Sequence, residues 1–157
     1  MTHPTSTGRQ WSIRPALPAD APVLVAFTLR EASDAEGRSL PVVDAERGVA
    51  AAFADPPKAR YWVAEAGGLL LGSVSAVTEW SNFLGGDYWW VQSLYVLPEG
   101  RGSGLADALL DRLAHEAAAA GALDLRLLVH ETNARAQRVY DRAGFTRAPY
   151  AVLIRAT

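Results

Sequence analysis

The chain of 157 residues contains no cysteine. This absence excludes disulfides, thiolate-bound metals, iron–sulfur clusters and a cysteine nucleophile. Histidine is also scarce, because His3, His115 and His130 are the only three and stand far apart in the sequence. A histidine-based metal site or catalytic triad is therefore not expected, and we predict a protein without a bound metal.

An excess of positive charge is lacking as well. Fifteen Lys and Arg residues stand against seventeen Asp and Glu residues, which gives a formal net charge of -2. This balance provides no overall attraction toward nucleic acid or an anionic membrane, so we expect neither as a partner. The chain has no apolar run near the ~20 residues that a membrane span requires. Its polar beginning does not resemble a signal peptide, and a cytoplasmic protein is the expectation.

Apolar residues, by contrast, make up 50% of the chain. At this length they suffice for one continuous core. No repeat or linker divides the sequence. We therefore predict a flexible N-terminus over residues 1–9 and a single domain over residues 10–157.

The spacing of the apolar residues predicts an α/β protein. Alternating or continuous apolar segments predict strands at 11–14, 61–65, 69–80, 87–96, 123–129, 145–146 and 150–154. Helical spacing and capping residues predict helices over 20–32, 105–120 and 133–143, with a shorter one capped by Asp44. This order predicts a mixed sheet covered by helices on both faces.

The segment from Val96 to Ala106 is the most informative part of the sequence. A strand ends there, glycines stand at 100, 102 and 104, and a helix begins. Free N–H groups at such a helix start attract an anion such as a phosphate. A plain strand-to-helix turn explains the glycines about equally well. The phosphate loop of nucleotide hydrolases is excluded, because no Gly-Lys-Ser/Thr follows.

Two signatures in this order resemble the GNAT N-acetyltransferase superfamily. The first is Val96-x-Pro98-x-x-Arg101-Gly102-x-Gly104-Leu105-Ala106, in which Glu99 departs from the usual Gln or Arg. The second consists of Leu127, Val129, Asn133, Ala136, Tyr140 and Gly144-Phe145, and the opening Ile13-Arg14-Pro15-Ala16 is also similar. The resemblance covers residues 10–155. It implies a mixed, mostly antiparallel central sheet of six to seven strands flanked by about four helices.

The resemblance also implies the reaction, which is direct transfer of an acetyl group from acetyl-CoA to an amine in a ternary complex. It places the pantetheine arm between the strand ending at Val96 and the next strand. The residues it assigns to acetyl-CoA are Leu94, Tyr95, Val96, Arg101, Gly102, Ser103, Gly104, Leu105, Ala106, Asn133, Ala136 and Tyr140. Arg135, Arg138 and Arg142 either reach the adenosine phosphates or form a solvated helix face.

Catalytic roles follow from the same resemblance. It makes Tyr140 the general acid that protonates the departing thiolate, although spacing alone would make Tyr140 a core residue. Side chains at 88, 90, 92 and 94 are expected on one face of their strand. There Trp90 and Gln92 are non-ionisable, so Gln92 can orient a substrate or a water but cannot be a base. Glu79, Asp87 or a water chain are the remaining candidates for the base.

For the acceptor, the resemblance points to the first two helices and the last strands. The candidate substrate residues are Phe27, Glu31, Trp90, Gln92 and Tyr150. Glu31, Asp34 and Glu36 form an acidic segment that either attracts a cationic amine or is a solvated helix end. The aromatic strand resembles the diamine and polyamine branch, although that branch has a carboxylate at the position of Gln92.

Other aromatic side chains leave two interpretations open. Trp80, Phe83, Trp89 and Trp90 either line an apolar acceptor site or form a dimer interface, and we expect a homodimer. A small-molecule acetyltransferase is the leading hypothesis. Acetylation of a protein or peptide and a non-catalytic acyl-CoA-binding module are the alternatives.

Overall fold

The structure is a computed structural model that describes residues 11–157, so the predicted flexible segment 1–9 lies outside the described residues. The strands are β1 (Ser12–Pro15), β2 (Arg60–Ala66), β3 (Leu69–Ser81), β4 (Gly86–Val96) and β5 (Leu125–Leu127). The helices are α1 (Ala21–Glu36), α2 (Val42–Ala52), α3 (Leu105–Ala119) and α4 (Ala134–Arg142), with single 3-10 turns at Pro18–Asp20 and Pro98–Gly100. None of the helices in residues 11–157 combines the length and apolar character of a membrane span.

The sheet is mixed and has five strands in the order β1-β2-β3-β4-β5. The first three pairings are antiparallel, and β4 pairs with β5 in parallel. Gly67 and Gly68 join β2 to β3 with φ values of 58° and 79°. Positive φ at both central residues is the geometry of the tight hairpin turn that Gly-Gly favours.

The predicted count of six to seven strands is too high, because segments 145–146 and 150–154 are not strands. Tyr150 and Leu153 are 81% and 92% exposed. The strand predicted over 123–129 is also shorter than expected and covers only Leu125–Leu127. Neither C-terminal segment pairs with the free edge of β5, so their apolar composition alone does not make them strands.

The sheet is covered on both faces. Leu105, Leu109 and Leu113 of α3 are buried against one face, together with Val74 and Val91 of the sheet. On the other face, Leu24 of α1 and Val49 of α2 are buried with Val63 of β2. The prediction that helices cover both faces of the sheet is therefore confirmed.

An extra residue in β4 changes which side chains face which helix. Ser75 pairs with Ser93 and Ala76 with Val91, so Gln92 has no partner and forms a bulge. The expectation that positions 88, 90, 92 and 94 share a face is therefore wrong, because a bulge reverses the alternation beyond it. Leu94 packs against the core that contains Val91, whereas Ser93 faces the opposite side.

Beyond the bulge, β4 and β5 separate. The parallel pairing covers only Trp89–Val91 of β4 and Leu125–Leu127 of β5. Residues 93–96 still pair with β3 on one side, and no strand of the described chain lies on the other. The backbone of this segment therefore borders an open space, which we call the notch (residues 92–96 of β4 and the end of β5).

Gly72 provides a test of how tightly β3 approaches the wall of the notch. A Cβ at this position would lie 2.7 Å from the carbonyl oxygen of Tyr95 and 3.3 Å from Cα of Val96. We expect Gly72→Ala to lower the free energy of unfolding by ~1–3 kcal/mol, because overpacking forces the backbone to move. Chemical denaturation measures this change.

Gly48 of α2 is the matched control. A Cβ there meets no atom within 4 Å, and the residue is helical. Gly48→Ala should leave the free energy of unfolding unchanged or raise it by ~0.4–1 kcal/mol. If both alanine variants were equally stable, the close approach of Gly72 to β4 would be disproved.

Candidate active site

The glycine-rich segment connects the end of β4 to α3. Gly102 and Gly104 have φ values of 73° and 83°, and Gly104 directly precedes the helix. Arg101 holds the segment in place: its Nε donates to the Val96 carbonyl at 3.1 Å, and its Nη2 donates to Asp34 Oδ2 at 3.2 Å. The side chain of Arg101 is therefore directed at β4 and α1.

Several backbone N–H groups of this segment have no protein acceptor. Within residues 11–157, none accepts from Gly102, Ser103 or Gly104, nor from the first-turn residues 105–107 of α3. Arg101 differs from residues 102–107, because its own backbone N–H donates to the Pro98 carbonyl at 3.2 Å. Clustered free N–H groups at the positive end of a helix dipole form an anion site. We call these free N–H groups (residues 102–107) the cradle, and binding of a pyrophosphate there stays a prediction.

Helix α4 borders the cradle from the other side of the notch. Asn133 caps it, and Asn133 Oδ1 accepts from the Ala136 N–H at 3.1 Å, which leaves the side-chain NH₂ group for a ligand. Arg142 Nη2 lies 3.5 Å from Asp107 Oδ1 in the first turn of α3. Arg135 and Arg138 are exposed. Of the three arginines, Arg142 is the one placed at the cradle.

Tyr140 extends from α4 into the partly buried region next to the core. Its ring packs edge-on against Phe145 with centroids 5.9 Å apart. Within residues 11–157 no group hydrogen-bonds its hydroxyl. Burial, and then the nearby charge of Glu31, raises the pKa of Tyr140 to about 12. The phenol therefore keeps its proton at neutral pH, as a proton donor must.

Glu31 of α1 reaches the notch from the opposite side. Its Oε1 accepts a hydrogen bond from the Leu94 N–H at 3.2 Å. Burial raises the pKa of Glu31 to about 7, the Leu94 N–H lowers it, and the charge of Glu36 raises it further. A carboxyl with this pKa exchanges protons near neutral pH. The sequence placed Glu31 only among the acceptor-site candidates, since its contact with Leu94 has no local signature.

A cavity of about 400 Å³ opens between α1, α2 and the sheet. Its size is typical of pockets for small molecules. Among its lining residues are Glu31, Glu36, Asp44, Tyr61, Gln92 and Ser93. Glu31 and Gln92 are thus the two predicted acceptor residues that the structure brings together.

The other predicted acceptor residues lie elsewhere. Phe27 is buried and packs on Tyr95 with ring centroids 5.3 Å apart, behind the cavity wall. Trp90 lies beneath the guanidinium of Arg126 at 5.9 Å, and Tyr150 is exposed in the C-terminal segment. None of the three lines the cavity.

The predicted base candidates are also remote. Glu79 is exposed and pairs with Tyr88, four positions along β3 from Ser75. At 3.3 Å per residue this places Glu79 ~13 Å from the part of the sheet that borders the cavity. Asp87 lies further out, opposite Trp80. No group of three His, Asp or Glu side chains in residues 11–157 is arranged to hold a metal ion.

The raised pKa of Glu31 makes the stability of the fold depend on pH. A carboxyl whose pKa rises on folding binds more protons in the native state. Its contribution to the free energy of unfolding is therefore fully present below the unfolded pKa near 4.5. This contribution is lost as pH rises through the folded pKa of about 7. We expect Glu31→Gln, which cannot ionise, to gain stability relative to the wild type as pH rises from about 4.5 to about 7, and to keep this gain at higher pH.

Thermal or chemical unfolding of both proteins across this range measures the difference. Glu46→Gln is the control, since Glu46 is exposed on α2 and does not line the cavity. A difference between Glu31→Gln and wild type that stays constant with pH would contradict the burial of this carboxylate.

Comparison with known proteins identifies the family. A family model described as the acetyltransferase (GNAT) family matches residues 28–145. No curated protein matches the sequence. Among solved structures, an integron cassette protein, HFX_CASS3, from the mobile metagenome of Cole Harbour Salt Marsh is 30% identical. It has a TM-score of 0.78 and covers 92% of this chain and 89% of its own.

Two further structures share the fold. A possible acetyltransferase from Clostridium difficile 630 is 24% identical, with a TM-score of 0.87 over 94% of this chain and 97% of its own. A predicted acetyltransferase from Clostridium acetobutylicum, solved with acetyl-CoA, is 21% identical, with a TM-score of 0.77 over 93% and 96%. Because the family model matches more than half of the present chain, the chain belongs to the GNAT family of acetyltransferases and is an acyltransferase.

Proposed function

We propose that the protein transfers an acetyl group directly from acetyl-CoA to a primary amine of a small molecule, with both substrates bound at once. One observation carries this proposal: the open edge of β4 leads into the cradle of free N–H groups, and at Leu94 it contacts Glu31, which lines the 400 Å³ cavity. An anionic carrier has a site at one end of this path, and a small acceptor has a site at the other.

Acetyl-CoA is held mainly by backbone groups in this proposal. The free N–H groups of residues 102–106 bind its pyrophosphate, with Arg142 as a nearby cation. Residues 94–96 hydrogen-bond the pantetheine and the acetyl carbonyl along the open edge of β4, and the side chain of Asn133 binds the pantetheine arm. Donors fixed in place before the reaction stabilise the developing oxyanion without reorganisation.

Charge and size favour a small cationic acceptor. Glu31, Glu36 and Asp44 line the cavity, and Arg38 is the only lining cation in the described chain. The cavity volume lies within the range of small-molecule pockets, which supports a compact amine as the acceptor. Gln92 is exposed at the same wall and orients the acceptor through its amide.

The expected homodimer stays a prediction. Trp80 and Phe83 at the β3–β4 hairpin are 65% and 92% exposed, so they are available for such an interface. Trp89 is not, since it is buried and packs on Trp62.

A thiol-release assay with acetyl-CoA and a panel of small amines and peptides tests the proposed reaction. We expect turnover with small amines. Tyr140→Phe should lower turnover by ~10²–10⁴, since it loses the proton donor for the thiolate. Its affinity for acetyl-CoA, measured by calorimetry, should stay near that of the wild type.

Tyr88→Phe is the matched control, because Tyr88 lies under Arg126 at 3.4 Å, away from the cavity. Turnover only with peptides would favour a protein acetyltransferase. Binding of acetyl-CoA without turnover on any acceptor would favour a non-catalytic module and reject the proposed reaction.

Two glycines that adopt the same backbone conformation provide a test of pyrophosphate binding at the cradle. Gly104→Ala strains a residue at φ 83° inside the cradle, whereas Gly121→Ala strains one at φ 74° after α3. Both variants lose stability, since a side chain disfavours this region by ~1–2 kcal/mol. Only Gly104→Ala should also weaken acetyl-CoA binding, by about tenfold or more, which is ~1.4 kcal/mol. Equal affinities in the two variants would place the pyrophosphate elsewhere.

A further inference from the structure

The carboxylates that line the cavity differ in their partners. Glu36 pairs with Arg38 at 3.3 Å and Asp44 with Arg47 at 3.1 Å. Within residues 11–157, no cation pairs with Glu31. An unpaired, partly buried carboxylate is destabilised in its charged form, so it takes up a proton more readily than its paired neighbours.

The groups around Glu31 leave it free to exchange a proton with a ligand. On its own helix, Asp34 is engaged with Arg101 at 3.2 Å and Tyr95 at 3.4 Å. The cavity wall adds Tyr61 and the ion pairs of Glu36 and Asp44, and α4 contributes Tyr140. None of these donates a hydrogen bond to Glu31.

Within residues 11–157, the carboxylate of Glu31 has one hydrogen-bond partner, the backbone N–H of Leu94. The Leu94 N–H, which Glu31 Oε1 accepts at 3.2 Å, lies on the open edge of β4. In the proposed function, residues 94–96 hydrogen-bond the pantetheine and the acetyl carbonyl. Glu31 therefore lies next to the expected position of the thioester carbonyl and the attacking amine.

We propose that Glu31 is the general base of the acetyl transfer, an assignment that rests on the proposed function. The carboxylate takes one proton from the incoming ammonium group. The neutral nitrogen attacks the acetyl carbonyl, a C–N bond forms, and the C–S bond breaks. Tyr140 gives its proton to the sulfur and regains one from the acetylated nitrogen. The proton on Glu31 leaves through the cavity to water, so one proton is released per turnover.

The Leu94 contact couples the base to acetyl-CoA. The Leu94 N–H lowers the pKa of Glu31 in the free protein. An acetyl carbonyl that takes this N–H removes the stabilisation of the carboxylate, which then becomes more basic. Binding of acetyl-CoA should therefore be accompanied by proton uptake near neutral pH, whereas CoA, which has no acetyl carbonyl, should cause less.

Glu31→Gln separates the two roles of the side chain, because its amide oxygen still accepts from Leu94 but takes no proton. We expect a fall in kcat of ~10²–10⁴ with little change in acetyl-CoA affinity. We also expect loss of the acidic limb of the kcat pH profile, whose midpoint lies above the free-protein value of about 7 because bound acetyl-CoA raises the pKa of Glu31. Glu31→Asp should retain an acidic limb. Glu46→Gln, on the exposed side of α2, should behave as the wild type.

Calorimetry in buffers of different ionisation enthalpy provides a readout independent of turnover. The difference in proton uptake between acetyl-CoA and CoA should be present in the wild type and absent in Glu31→Gln. If Glu31→Gln did not fold, the acidic limb in Glu31→Asp and the wild-type uptake difference would carry the test.

Different results would reject the acetyl transfer itself and the role of Glu31 as its base. A wild-type protein that turns over no acceptor rejects the proposed function. A wild-type protein that is active, while Glu31→Gln keeps its acidic limb and its kcat, rejects Glu31 alone. Loss of that limb in Glu79→Gln instead would make Glu79 the base.

Discussion

The separation of β4 from β5 after Val91 is the constraint on which the site depends. A continuous parallel pairing would use the backbone groups of residues 92–96 within the sheet, and no ligand could reach them. The bulge at Gln92 lies at the point of separation and turns Leu94 toward the core and Ser93 toward the cavity. Because backbone groups on a buried sheet edge must find partners, this edge is suited to an extended ligand.

Two titratable groups at the notch have environments that suit opposite tasks. Burial raises the pKa of both, to about 12 for Tyr140 and to about 7 for Glu31. The first group then holds its proton at neutral pH, whereas the second exchanges one. The negative charge of Glu31 also disfavours a phenolate at Tyr140. A pair of titratable groups whose environments set their pKa values far apart is typical of acid–base chemistry.

The sequence predicted the elements around the candidate site that short stretches of chain determine. These are the four helices and the order of strand, glycine-rich segment and helix around Gly102 and Gly104. Contacts between distant segments could not be predicted this way. Glu31 meets Leu94 across 63 positions, and no pattern in either segment indicates it. The bulge depends on pairing between two strands, and the absence of strands after α4 depends on the lack of a partner.

The ion pair between Arg101 and Asp34 connects two regions to which the proposed function assigns different substrates. Arg101 belongs to the segment that forms the anion cradle, and Asp34 belongs to the helix that carries Glu31. Asp34 and Glu31 are three residues apart, so they lie on adjacent positions of one helical face. The side chain of Arg101 thus joins the glycine-rich segment to the turn of α1 that borders the cavity. A ligand that displaces either region must therefore break this ion pair or move the other region with it.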